Sequence, residues 1–225
     1  MKETRHPDDA KEPVIMRDEI LMLPDAHFNN DNVCVVTGAG TGIGRATAIA
    51  AAANQLMTVG LDINEEEGHR TQKLARDMGG EMIFLSCDLT RDTDVEKAVS
   101  EAAKIGTVKY LANIAGIQHI DSIDNFPMEK YDQMQALMLR APFYLSKLVI
   151  PHMKNSADGI GVIGNMASIH DHVSTKNKPV LNITKFGLRA LSQSISAEGI
   201  GKIGSFTLST GFVKTPLALN QIRAQ

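Results

Sequence analysis

Residues 33–53 read "VCVVTGAGTGIGRATAIAAAA". Val33 to Thr37 are apolar or β-branched and read as a short buried strand. Four glycines follow, Gly38, Gly40, Gly42 and Gly44, and then an alanine-rich run with strong helix propensity. Glycine lets the backbone turn sharply and approach a pyrophosphate closely, while a helix N-terminus offers amide donors and the positive end of its dipole. The spacing from Thr37 is T-G-x-x-x-G-x-G rather than G-x-G-x-x-G, a variant of the same device. A glycine-rich turn by itself needs no ligand. The strand before it and the helix after it are what point to a nucleotide.

Working outward, further strand-like runs occur at "LMTVGLD", "EMIFLSCD", "KYLANIAG", "GVIGNMAS" and "GSFTLSTG". Between them lie stretches with helical periodicity, among them "DTDVEKAVSEAAKIG" and "EKYDQMQALMLRAPFYLSKLVIPHM". Six short apolar runs alternating with helices predict an α/β fold: a Rossmann-type, doubly wound parallel sheet of about six strands in three layers, covered on both faces. This domain is expected over 32–225. Residues 1–31 carry proline and charge around one apolar patch, "VIMRDEILML", and read as an N-terminal arm; a partner subunit is among the places it could pack.

With 225 residues, 43% of them apolar and a net charge of −3, the chain can bury one large core. No basic excess points to nucleic acid, and no apolar run approaches the ~18 residues that span a bilayer. The first residues have no apolar signal segment. Cys34 and Cys87 both sit in strand-like runs, so two buried free thiols in a reducing cytoplasm are expected rather than a disulfide. No metal-ligand spacing stands out.

In a doubly wound sheet, ligands bind beyond the carboxyl ends of the strands. Asp62 ends the second strand, where a carboxylate accepts hydrogen bonds from an adenosine ribose and repels a 2′-phosphate. Ile63 follows it, rather than an arginine, so NAD is favoured over NADP. Asp88 ends the third strand, in position to meet an adenine amino group. At the end of the fourth, Ala115 and Gly116 let a cofactor lie against the backbone.

Ser168 and Lys185 complete a pattern. The glycine turn, Asp62, "CDLT", "NIAG", Ser168 and Lys185 together resemble the short-chain dehydrogenase/reductase family over residues 32–225. Within it, "AGIQHI", "IPHM", "ASIH", "KPVL" and "TPLALNQI" are most similar to the D-3-hydroxybutyrate dehydrogenase branch. The resemblance implies an NAD-dependent oxidoreductase whose catalytic residues include Ser168 and Lys185. It implies cofactor contacts from Gly38, Thr41, Gly42, Ile43, Gly44, Asp62, Asp88, Leu89, Asn113, Ala115, Gly116, Lys185, Val213 and Thr215. It also implies a small hydroxy-acid substrate held by Gln118, Ser168, His170, Lys178 and Gln221. His119, His152 and His172 are expected to be ordinary surface or loop histidines. Family members continue some thirty residues further, with a helix and a last strand that this sequence lacks, so a homodimer is expected over a tetramer.

Two departures from the family stand at the chemistry. The family has a tyrosine four residues before the lysine, and Leu181 occupies that position. An asparagine on the preceding long helix falls at Met138. Lesser departures are Ile114 and Thr210. A phenol can exchange a proton with a substrate alcohol when neighbouring positive charge lowers its pKa; leucine cannot. Tyr110, Tyr131 and Tyr144, the three tyrosines of the chain, are poorly placed to substitute. Three readings stay open: a 3-hydroxybutyrate-type dehydrogenase with altered activity, a non-catalytic NAD- and hydroxyacid-binding module, and an altered or shortened form of an active enzyme.

Overall fold

In the computed structural model the backbone is described for residues 14–223 and the side chains for 14–219. Six strands form the sheet: β1 (Asn32–Thr37), β2 (Met57–Asp62), β3 (Met82–Ser86), β4 (Thr107–Asn113), β5 (Gly161–Met166) and β6 (Ile203–Leu208). Among the described residues seven α-helices accompany them: α1 (Gly42–Ala53), α2 (Glu65–Asp77), α3 (Asp92–Ile105), α4 (Met128–Gln135), α5 (Ala141–Lys154), α6 (Pro179–Glu198) and α7 (Pro216–Arg223). All strand pairs are parallel, in the order β3-β2-β1-β4-β5-β6. The chain therefore winds outward from β1 to β3, crosses back, and winds the other way from β4. That reversal opens a crevice between β1 and β4 at their carboxyl ends.

Every residue of β1 is buried, as a central strand covered on both faces requires. On one face Val33, Val35, Val108, Leu111 and Ile163 pack against Val95 and Val99 of α3, Leu145 and Val149 of α5 and Ile195 of α6. On the other, Cys34 and Val36 meet Ala48, Ile49 and Ala52 of α1 and Ala75 of α2. Alanine on α1 leaves no bulk between helix and sheet, so the glycine turn is held close to the strand ends.

The described part of the arm lies on its own domain. Ile15, Ile20 and Phe28 join the cluster of α1 and α2. The Leu23 amide donates to Asn54 Oδ1 at 2.7 Å, and Phe28 meets Tyr110 edge-on at 5.7 Å between ring centroids. The sheet, in turn, is not covered on both faces along its whole width. At the β6 edge, α6 packs on one face, whereas Phe206 and Leu208 are 53% and 50% exposed on the other.

α4 and α5 run on as one helix through a π turn over Ala136–Arg140. Pro142 explains the widening: it has no amide to give to the Met138 carbonyl, one turn back, and its ring pushes that turn open. Met138 lies inside this turn and is buried.

Candidate active site

A cavity of about 950 Å³ opens along the carboxyl ends of the sheet, at the upper end of the range for ligand pockets. All six strands contribute to its wall through the segments that follow them. Gly38 and Thr41–Gly44 follow β1, Asp62 ends β2, and Cys87–Leu89 follow β3. Ile114–Gln118 follow β4, Ala167–His170 follow β5, and Thr210–Val213 with Thr215 follow β6.

At one end lies the glycine turn. Gly38 and Gly42 have φ of +68° and +55°, a left-handed conformation that side chains strain. A Cβ on Gly44 would sit 1.9 Å from the Gly38 carbonyl oxygen, so the turn closes only with glycine there. Thr41 caps α1 from an extended backbone without a side-chain bond, and the first helical turn carries no acid. These features fit a bound pyrophosphate, for which the first amides of α1 and its dipole would act together. Thr37 is a residue whose role the sequence did not disclose. Its hydroxyl accepts from the Ile114 and Ala115 amides at 2.8 and 3.1 Å, pinning β1 to the end of β4 across the crevice. A hydroxyl directly before the first glycine was the available signal.

The Asp62 carboxylate accepts from the Gly40 amide at 2.8 Å and from the Asn64 amide at 2.9 Å, which fixes it beside the turn. Asp88 lines the cavity and uses Oδ1 to accept from the Thr90 amide and hydroxyl. Cys87 also lines it, but burial first, and then the carboxylates of Asp94 and Asp88, push its thiol up to about 12. Cys34 is likewise raised to about 12 by burial, so neither free thiol is a thiolate at neutral pH. Asn113, at the end of β4, is not among the residues of the cavity wall. Strand alternation turns it into the sheet, where its amide donates to Asn165 Oδ1 at 2.8 Å; Asn165 in turn donates to Ser192.

The opposite end holds Ser168, Leu181, Lys185 and Met138, all on the cavity wall. Ser168 sits just past β5 with an extended backbone. Leu181 and Lys185 lie one turn apart on the same face of α6. Lys185 Nζ donates to the Met166 carbonyl at 2.6 Å. Burial lowers its pKa from 10.5 to about 8, with the Asp171 carboxylate pulling the other way. Leu181 packs with Val180, Met134 and Met138 in a small apolar cluster. No described tyrosine reaches the cavity. Tyr131 packs on the back of that cluster, Tyr110 is in β4, and the Tyr144 hydroxyl donates to Glu96.

Of the expected substrate residues, Gln118, Ser168, His170 and Lys178 come together on the cavity. Gln221 falls on α7, but its side chain lies outside the described residues. Both ring nitrogens of His170 are engaged within the protein. Nδ1 lies 2.9 Å from Ser168 Oγ and Nε2 lies 2.8 Å from Thr175 Oγ1. His172 is more than a loop residue: it lies 2.8 Å from Arg189 Nη1 and 3.2 Å from Asp171 Oδ1. Among the described residues, no cluster of three His, Cys, Asp or Glu side chains could hold a metal ion, and no helix is long and apolar enough to cross a membrane.

The short chain dehydrogenase family matches residues 32–225, the whole span of the sheet and its crevice. The chain belongs to this family. It is an oxidoreductase by that membership. Similar proteins include an uncharacterized oxidoreductase of Thermotoga maritima, 33% identical over 74% of this chain and 65% of its own length. The chain thus spans about two thirds of that relative. A D-beta-hydroxybutyrate dehydrogenase of Rhizobium meliloti is 30% identical over 85% of this chain and 75% of its own length. Another protein of that name, from Cupriavidus necator, is 27% identical over 87% and 76%. A solved structure from Sinorhizobium meliloti, described as a short-chain alcohol dehydrogenase, shares the fold with a TM-score of 0.78 at 21% identity, covering 83% of this chain and 74% of its own.

Proposed function

We propose that this chain binds NAD in the cleft and, beside it, a small 3-hydroxy acid, as an oxidoreductase of the 3-hydroxybutyrate dehydrogenase type. The observation that carries the reading is the convergence of Ser168, Lys178 and Lys185 on a cavity whose other end is built from the glycine turn and Asp62. When bound, the nicotinamide supplies a hydride acceptor. The glycine turn and the first turn of α1 hold the pyrophosphate, and Asp62 receives the adenosine ribose. Lys178 attracts the carboxylate of the substrate as a point charge, with Gln118 as a hydrogen-bonding neighbour. Ser168 holds the substrate oxygen, and Lys185 reaches the nicotinamide ribose.

The preference for NAD rests on Asp62. The described cations on the cavity wall are Lys178 and Lys185, and neither lies on β2 or the glycine turn. A 2′-phosphate beside Asp62 would therefore meet a carboxylate without compensation. Calorimetric titration should give NAD an affinity at least ~10-fold above that of NADP, and Asp62→Ala should narrow the gap. Equal affinities in the parent chain would remove the Asp62 assignment.

A second reading is favoured by Leu181 and Met138: a binding module that keeps both ligands and has lost turnover. Both side chains are apolar where the family resemblance places a phenol and an amide, and both pack into one cluster. Mixing the chain with NAD and D-3-hydroxybutyrate and following NADH absorbance separates the two readings. Ligand binding without NADH selects the module.

A further inference from the structure

Residue 181 carries no phenol, and among the hydroxyls on the cavity wall that of Ser168 is coupled to an imidazole. Ser168 Oγ and His170 Nδ1 are 2.9 Å apart across a single 3-10 turn, Ile169–Asp171. The second ring nitrogen, Nε2, faces Thr175 Oγ1 at 2.8 Å. With Nε2–H donating to Thr175, Nδ1 is left as an acceptor and receives the Ser168 hydroxyl. The ring is thus oriented at both ends, and His170 is buried while Ser168 is half-buried on the cavity wall. An acceptor, a hydroxyl and an open cavity stand in series.

We infer that His170 is the proton acceptor of this site, taking the proton of a substrate alcohol through the Ser168 hydroxyl in place of the phenol that residue 181 lacks. In the oxidising direction a bound nicotinamide would supply the acceptor for the hydride, with its two electrons, that leaves carbon as the alcohol's C–H bond breaks. The alcohol's O–H proton passes to Ser168 Oγ as the Ser168 proton moves to His170 Nδ1, and the carbonyl π bond forms. The imidazolium then returns its proton to solvent.

The charges around His170 suit an acceptor that is neutral at rest. Lys178, at the start of α6, lies close enough to add to the effect of burial, and the two hold the imidazole below its ordinary value of 6.5. Asp171 follows it on the same turn, but one carboxylate oxygen accepts from Ser209 at 2.6 Å and the other faces His172. Lys185, on α6, is the competing proton carrier and has its own, higher titration.

The inference rests on the oxidoreductase reading for its substrate, but its test does not need the cofactor. Phenylmethylsulfonyl fluoride reacts with a serine hydroxyl whose proton a base removes, fluoride leaving from sulfur. Peptide mass spectrometry of the chain should find the sulfonyl group on Ser168, with a rate that climbs to a plateau through a midpoint below pH 6.5. His170→Ala should slow labelling by about 10²-fold or more, the usual effect of losing a positioned base, and free imidazole should restore part of it. His170→Gln serves as a second variant, and circular dichroism checks that each is folded. A midpoint near 8, where Lys185 titrates, would overturn the inference. So would an unlabelled Ser168, or a rate indifferent to both His170 variants. A parallel NAD titration keeps the two readings apart. Labelling without NAD binding supports the Ser168–His170 pair and removes the dehydrogenase; NAD binding without labelling overturns the pair and leaves the cofactor reading standing.

Discussion

Replacing Lys185 with methionine should stabilise the ligand-free protein at neutral pH, and the gain should disappear as the pH rises. Burial brings the Lys185 pKa from 10.5 down to about 8. At about 1.36 kcal/mol per pH unit, the ammonium form costs the fold roughly 3 kcal/mol below pH 8. In the unfolded chain the lysine keeps its proton up to 10.5, whereas in the folded chain it loses it from about 8. Between those values the unfolded state binds more protons, so stability from this group rises with pH. The penalty is complete below 8, fades across that window and is absent above 10.5. Methionine matches the stem of lysine but gives up the bond to the Met166 carbonyl, a loss of about 1 kcal/mol. Lys185→Met should therefore be about 2 kcal/mol more stable than the parent at pH 7 and about 1 kcal/mol less stable near pH 10.5. Cys34, Cys87 and Tyr110 are all raised to about 12 and stay protonated through most of this window. Urea unfolding of both proteins at several pH values gives the difference directly, since other groups titrate alike in the two. A difference that stays constant from pH 7 to 10 would falsify the buried-ammonium account.

Leu181→Tyr should raise oxidation of D-3-hydroxybutyrate by about 10²-fold or more if the phenol completes an otherwise intact site. Adding Met138→Asn should raise it further, and by more than in the Leu181 background, because the two groups would act in one proton chain; a Leu181→Tyr protein that binds both ligands and gains no rate would refute this. Gly44→Ala should abolish NAD binding and lower stability by at least 1–3 kcal/mol, since its Cβ would meet the Gly38 carbonyl oxygen at 1.9 Å; calorimetry and thermal unfolding read the two effects. The exposed Phe143 and Phe186 on α5 and α6 should be covered in a homodimer, and light scattering should return twice the chain mass rather than one or four times it.

What the sequence determined by itself was the sheet and the cofactor end of the cleft. Alternating apolar runs and helical periods are local signals, and α3, read from "DTDVEKAVSEAAKIG", spans Asp92–Ile105 as that stretch suggests. The glycine turn was legible because its backbone conformations exclude other residues, whatever surrounds it. Leu181 and Lys185 could be placed on one face because a helix repeats every 3.6 residues. Tertiary structure alone decided the rest. Asn113 sits at a strand end, yet strand pairing turns it to Asn165 and away from the cavity. Tyr131 is far from Leu181 in the chain but packs behind it, and only the crossing of α4 over α6 brings the two together. His170 looked like a substrate donor, and the fold engaged both its nitrogens within the protein. Hydrogen-bond partners distant in sequence leave no periodic trace, so which polar groups remain for a ligand is settled only when the chain has folded around them.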